Sequence, residues 1–167
     1  VIRWLITELI PEGDLTILGG RPKVGKTRLA IAIAASILKQ ESFLGFTTPK
    51  KTKPVLLISD DQSDGDTYSM LSNLNIWDNP LLMWSSNFRM TEEDVDSMLD
   101  AIKKNPGLLV IVDSLRSISR TMSASENDPE MGTYLYDLKE AVIEAGGTLL
   151  VVHNCNKAND TVGTESL

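Results

Sequence analysis

Residues 19–27 read GGRPKVGKT, and this segment indicates the type of fold because it joins a strand-like run to a helix-like one. Gly20 and Gly25 enclose four residues and Lys26-Thr27 follow, which matches the pattern G-x-x-x-x-G-K-[ST] of the phosphate-binding P-loop. Apolar residues 14–19, DLTILG, precede the stretch, and an apolar face at helical spacing follows it. The context therefore predicts a P-loop. The alternative is a glycine and proline turn that binds nothing.

The P-loop interpretation gives each residue type a chemical role. Glycines let consecutive backbone N–H groups curl around an anionic phosphate, and the following helix presents its positive end to that phosphate. We expect Lys26 to be exposed at this cradle and to reach the β and γ phosphates, and the Thr27 hydroxyl to hold Mg²⁺. ATP and Mg²⁺ are the expected cofactors. The predicted nucleotide-binding residues are Gly20, Arg21, Pro22, Lys23, Val24, Gly25, Lys26, Thr27 and Arg28.

The remainder of the chain predicts an α/β fold. Short apolar runs alternate with segments of helical period, which is typical of a mostly parallel sheet with helices on both faces. Residues 119–130, SRTMSASENDPE, follow neither period and are expected to be mobile. Helical faces are predicted after the P-loop, behind a Thr91 cap, and before Gly146-Gly147. The five candidate strands, numbered first to fifth along the chain, cover residues 14–19, 54–59, 81–85, 108–113 and 148–153.

Length and composition limit the possible functions. The chain has 167 residues, 42% of them hydrophobic, which suits one domain with a real core. The formal net charge of −7 argues against a broad basic surface for duplex DNA. A single cysteine and the absence of an apolar run of roughly 20 residues predict a soluble, reducing, cytoplasmic setting without a membrane partner. We expect residues 1–167 to be one ATPase domain, and a fragment that lacks C-terminal strands.

Carboxylates follow two of the candidate strands. Asp113 ends LLVIVD, where a Walker B aspartate orders magnesium through its water shell, so Thr27 and Asp113 are the predicted metal residues. Asp60 and Asp61 end VLLIS, and one of them could polarise the attacking water as a general base. Ligands of parallel α/β sheets collect beyond the carboxyl ends of strands, where both motifs lie. The alternative for each is a solvated acid at a strand end.

The fifth strand ends in VVHNCNK. His153, Asn154 and Lys157 are expected on the ligand side of the sheet, where a polar residue could touch the γ-phosphate. A surface histidine is the alternative for His153. One histidine and one cysteine are too few for a zinc site. The residues alone give Lys26, Asp113 and His153 as predicted catalytic residues, together with one of the two acids Asp60 and Asp61.

These motifs in this order resemble RecA-like P-loop ATPases of the type of the hexameric plasmid helicase RepA. The resemblance extends over nearly the whole chain, and VLLISDDQS, VIVDSLRSIS and LLVVHNCNKA carry it with the P-loop. It implies a RecA-like core with strand order 3-2-4-5-1, which leaves the first strand at an edge. It also implies a homo-oligomer, with a hexameric ring as the expected form and single-stranded DNA or replication proteins as partners.

The chain departs from the RepA pattern at three positions. The family's water-activating Glu in SLED corresponds to Asp61, which is one methylene shorter. The second His of the family's His-His-x-x-Lys corresponds to Asn154, and Val162 stands where an Arg is offered to the neighbouring subunit. Lys157 is a candidate to replace that Arg. The shorter carboxylate and the absent Arg make the rate of hydrolysis an open question.

Three classes of function therefore remain. The first is a ring-forming ATPase motor on DNA, the second is a regulatory ATPase that controls a protein partner, and the third is a module that holds nucleotide without useful turnover. The acidic charge and the absent Arg weigh against the first, while the P-loop and Asp113 weigh against the third. An ATPase of the RepA type is the favoured interpretation.

Overall fold

The computed structural model describes residues 1–48, 51–118 and 129–155, and a five-stranded parallel sheet lies at its centre. The strands are β1 (Trp4–Ile6), β2 (Ile10–Pro11), β3 (Leu15–Gly20), β4 (Val55–Ser59), β5 (Leu82–Ser85), β6 (Leu109–Asp113) and β7 (Thr148–Asn154). The helices are α1 (Lys26–Lys39), α2 (Asp64–Asn73), α3 (Glu92–Lys104), α4 (Leu115–Ile118) and α5 (Pro129–Glu144).

The order of the central sheet is β3-β7-β6-β4-β5, and every pairing in it is parallel. Read from the other edge, this is the predicted order 3-2-4-5-1 of the five candidate strands, so the predicted fold is confirmed. The short antiparallel pair β1-β2 stands apart from this sheet. Strand β3 is an edge strand, and its Ile17 is 51% exposed.

Helices cover both faces of the sheet because its central strands carry apolar side chains on both sides. In β6, Ile111 packs in one core cluster with α1 and β1-β2, whereas Val110 and Val112 pack in a second cluster with α3 and α5. All five residues of β4 and of β6 are buried. Because side chains on both faces of these strands are buried, their sequences are continuous apolar runs and do not alternate between apolar and polar residues.

Three of the four longer helices follow the predicted patterns. The predicted cap of α3 is present, because the Thr91 hydroxyl accepts a hydrogen bond from the Asp94 N–H at 3.2 Å. Helix α2 was not predicted. Of the segment 119–130, residues 119–128 lie outside the described residues, whereas Pro129 and Glu130 begin α5 instead of belonging to an irregular loop. No helix in the described ranges has the length and apolar character to cross a membrane.

Candidate nucleotide-binding site

A cleft of about 800 Å³ lies beyond the carboxyl ends of β3, β4, β6 and β7. This volume is within the roughly 300–1,000 Å³ typical of small-molecule sites. Residues 22–28 of the P-loop form one wall, and Asp61, Asp113 and Asn154 contribute from three different strand ends. The fold thus brings most of the predicted site residues together in one place.

The backbone of the P-loop has the conformation that its sequence predicts. Gly25 has φ +97°, a left-handed value that a side chain disfavours, and it is the N-cap of α1. The first turn of α1 contains no acidic residue, and no side chain of the described residues caps it. Its N–H groups and the positive end of the helix are therefore suited to an anionic ligand.

Lys26 is buried rather than exposed, which corrects the prediction from the sequence. Its side chain is only 8% exposed, and Nζ donates hydrogen bonds to the carbonyl oxygens of Gly20 at 2.9 Å and Arg21 at 2.5 Å. Gly20 and Arg21 therefore bind the lysine side chain, while the other predicted P-loop residues line the cleft. The ammonium group is positioned by the loop itself, so little conformational entropy is lost when it meets a phosphate.

Asp113 lies at the bottom of the cleft and is 1% exposed. Burial raises the pKa of its carboxyl group above the usual value. A hydrogen bond from the Thr27 side chain and the charge of Lys26 lower this pKa, and the charge of Asp61 raises it. Its Oδ1 atom is buried and has no hydrogen-bond partner among the described residues.

These residues fit a magnesium ion. A buried carboxylate oxygen without a partner is costly in the absence of a cation. The Thr27 hydroxyl beside it supplies a second oxygen, and Mg²⁺ prefers oxygen ligands and keeps most of its own waters. Mg²⁺ needs only one or two protein ligands of this kind. In the described part of the chain, no cluster of three or more His, Cys, Asp or Glu residues forms an all-protein metal cage.

The two adjacent acids after β4 have different surroundings. Asp61 lines the cleft, whereas Asp60 pairs with Arg89, whose Nη1 lies 2.5 Å from Asp60 Oδ2. The side chain of Asp60 is 9% exposed, and its N–H donates to the carbonyl oxygen of Asp113 at 3.0 Å. The structure therefore places Asp61 where an acid could face a nucleotide.

The end of β7 places Asn154, and not His153, in the cleft. His153 lines a separate cavity of about 210 Å³, next to Leu115 and Leu135 on the α5 face. Asn154 lines the nucleotide cleft on the α1 face. His153 was predicted as a catalytic residue, but the structure does not bring it to the other site residues. Lys157 and Val162 lie outside the described residues.

Helix α2 forms a wall of the cleft that was not predicted from the sequence. Its Asp66, Ser69, Met70 and Asn73 all line the cleft, which places residues i, i+3, i+4 and i+7 on one face. The weakly apolar sequence DGDTYSMLSN conceals the helical period. The signal that could have found it is the cap, because the Ser63 hydroxyl accepts a hydrogen bond from the Asp66 N–H at 3.1 Å.

The sequence matches the AAA domain family over residues 1–160. It is also 24% identical over 107 residues to the DNA repair protein RadA of Campylobacter jejuni, a match that covers 64% of this chain. The matched part is 20% of the length of that curated relative.

The fold is similar to that of a solved structure, the ATP synthase subunit NeqB from Nanoarcheaum equitans. The TM-score is 0.55 at 16% sequence identity, over 94% of this chain and 43% of that one. At this identity the similarity shows the fold alone, and together with the family match and the parallel five-stranded sheet it agrees with a RecA-like P-loop fold.

Proposed function

This chain belongs to the AAA domain family, and on that basis we propose that it binds ATP with Mg²⁺ and hydrolyses ATP to ADP and phosphate. One observation carries the proposal. A single cleft contains the P-loop, the buried Asp113 beside Thr27, and the acid Asp61. These are the parts that phosphoryl transfer to water requires: a phosphate cradle, oxygen ligands for a cation, and a base.

The P-loop binds and orients the triphosphate. Its backbone N–H groups and the N-terminus of α1 face the anionic oxygens, and Lys26 presents its ammonium group from within the loop. Thr27 and Asp113 would hold Mg²⁺, and the ion would supply charge neutralisation at the phosphate oxygens. The pKa of Asp113 is raised by burial, and the nearby Lys26 charge favours its ionised form.

Asp61 takes the proton of the attacking water. It lines the same cleft as Lys26 and Asp113, from the end of the neighbouring strand β4. A carboxylate that orients and deprotonates water contributes roughly 10²- to 10⁴-fold to a rate. Because aspartate is one methylene shorter than glutamate, we expect slower turnover than in a relative that carries glutamate at this position.

The direct experiment measures nucleotide binding and phosphate release by the same preparation. Mg²⁺-dependent ATP binding in calorimetry, with phosphate released over many turnovers, supports an ATPase. Binding without release supports the module that holds nucleotide. Absence of binding contradicts the proposed function altogether.

We further propose that the chain is a subunit of a homo-oligomeric ATPase similar to the RepA type, in which a hexameric ring acts on single-stranded DNA or with replication proteins. Among the described residues, β3 has a strand partner on one side only and its Ile17 is half exposed, and both observations support an association of subunits. RadA, a relative, is a DNA repair protein. Phosphate release that rises when single-stranded DNA is added supports the motor.

The second candidate is a regulatory or weakly hydrolysing ATPase that controls a protein partner. The net charge of −7 favours it, because a chain this acidic attracts polyanions poorly. Turnover that is slow and insensitive to single-stranded DNA supports the regulator over the motor.

A further inference from the structure

Arg89 lies outside the nucleotide cleft, yet it contacts the residue next to Asp61. It belongs to the loop between β5 and α3. Its Nη1 donates to Asp60 Oδ2 at 2.5 Å and to the carbonyl oxygen of Phe88 at 3.0 Å. Its own backbone N–H donates to Asp94 Oδ2 at 2.8 Å. The first turn of α3 is thereby linked, through Arg89, to the end of β4.

The link from Arg89 to the end of β4 is important because the strand ends at Ser59, before the proposed base Asp61. The ladder between β4 and β6 ends at the pair of Ser59 with Asp113, and Asp61 lies two residues beyond it. Asp60 lies between them and is fixed twice: its N–H bonds to the carbonyl oxygen of Asp113, and its carboxylate bonds to Arg89. With Asp60 held toward the α3 side, the chain directs Asp61 to the cleft.

The negative charges near Asp61 give a second reason for the pairing of Asp60 with Arg89. Asp60, Asp61 and Asp113 place three carboxylates at adjacent strand ends. Asp60 is 9% exposed and Arg89 is 33% exposed, so water screens this pair less than a fully exposed one. Arg89 therefore neutralises the acid that does not face the nucleotide. Asp61 keeps its position without the repulsion of an uncompensated neighbour.

We propose that Arg89 is a positioning residue for hydrolysis, and that it acts through Asp60 to hold Asp61 in the geometry needed to activate water. The proposal rests on the proposed ATPase function. Arg89 does not line the cleft. Its loss therefore affects the transition state, where the position of Asp61 counts, and leaves the binding of ATP nearly unchanged.

The test compares Arg89→Gln with Arg3→Gln, a matched change at an exposed arginine that does not line the cleft. In Arg89→Gln, kcat is expected to fall by about 10-fold to 100-fold, since a misplacement near 1 Å has effects of this size. The Kd for ATP stays within about 2-fold. Arg89→Lys recovers part of kcat, because lysine keeps the charge but loses the planar fork of donors.

A second measurement does not depend on turnover. Affinity for ADP with aluminium fluoride, a mimic of the transition state, is expected to fall in Arg89→Gln, while affinity for ADP alone does not. The double variant Asp60→Asn/Arg89→Gln is expected to lose no more than the worse single variant, because both residues act through one contact.

Three results overturn the inference. One is an Arg89→Gln variant that matches Arg3→Gln in kcat and in affinity for the aluminium fluoride complex. Another is a loss of ATP affinity as large as the loss of kcat, which indicates a general structural defect. The third is full additivity in the double variant. Failure of the wild-type chain to bind nucleotide is a different result, because it removes the proposed function and this inference with it.

Discussion

His153 and Asn154 are consecutive residues at the carboxyl end of β7, and they lie on opposite faces of the sheet. Asn154 follows Leu150 and Val152 on the α1 face, whereas His153 follows Leu149 and Val151 on the α5 face. The alternation of side chains along a strand therefore decides which residue can meet a nucleotide.

We expect Asn154→Ala to weaken the binding of ATP with Mg²⁺ by about tenfold, the effect of losing roughly 1.5 kcal/mol from a hydrogen bond to a charged group. His153→Ala is the matched control, and its ATP affinity is expected to equal that of the wild type. Calorimetry on both variants measures this difference. Weaker binding by His153→Ala alone contradicts the placement of the two side chains.

Lys26→Ala is expected to abolish tight ATP binding, because it removes the charge that the loop carbonyls of Gly20 and Arg21 hold in place. The same substitution deletes two hydrogen bonds within the loop. We therefore also expect a loss of stability of about 1 kcal/mol, seen in the thermal unfolding midpoint. Unchanged ATP affinity in a folded variant contradicts the P-loop assignment.

Asp61→Asn is expected to reduce turnover by roughly 10²-fold or more while ATP and Mg²⁺ still bind, since the amide cannot accept the proton of water. Asp64→Asn serves as the control, because Asp64 is an exposed acid that does not line the cleft. Phosphate release under single-turnover conditions isolates the chemical step. Normal release in Asp61→Asn means that the base lies elsewhere.

Asp113 links stability to pH. Because burial raises its pKa in the folded protein above the ordinary 3.8, the folded state favours the protonated form. Without metal, the contribution of Asp113 to stability is therefore largest below about pH 3.8 and is lost as the pH rises through the raised pKa.

Asp113→Asn is expected to remove the loss of stability that the wild type shows as the pH rises through the raised pKa of Asp113. It is expected to stabilise the metal-free protein at neutral pH by about 0.5–2 kcal/mol, the usual size of a single stabilising change. It is also expected to remove the stabilisation that Mg²⁺ with ATP gives the wild type. Urea unfolding across this pH range, with and without Mg²⁺ and ATP, measures both effects. A variant that is less stable than the wild type at neutral pH contradicts the cost assigned to the buried carboxylate.

The proposed assembly of subunits into a ring predicts that ATPase activity per chain depends on protein concentration. In the proposed ring, each nucleotide lies near a neighbouring subunit, so turnover per chain is expected to rise as subunits associate. Activity measured over a dilution series, beside light scattering for the mass of the particles, tests this. Constant activity per chain from monomer to oligomer shows that one chain completes the site.

The parts of the protein that depend on local chemistry could be inferred from the amino-acid sequence alone. The P-loop follows from glycine and lysine spacing, and the five strands follow from apolar runs that are buried on both faces, within one residue at their starts. Even the strand order could be inferred by resemblance. Asp113 and the pair Asp60-Asp61 could be singled out because carboxylates at the ends of parallel strands share one edge of the sheet, and the choice of Asp61 came from the resemblance.

The side chains that reach the cleft, and the contacts that hold them, follow from how the chain folds in three dimensions. Lys26 is held by carbonyl oxygens of its own loop, a contact that the residue spacing alone does not show. The pairing of Asp60 with Arg89 joins residues 29 positions apart, and the face that His153 or Asn154 takes is set by how β7 lies in the folded sheet. The wall formed by α2 depends on packing, since its own sequence has little apolar period. Local pattern fixes where an element lies, whereas the direction of a polar side chain at its end is set by the neighbours it meets after folding.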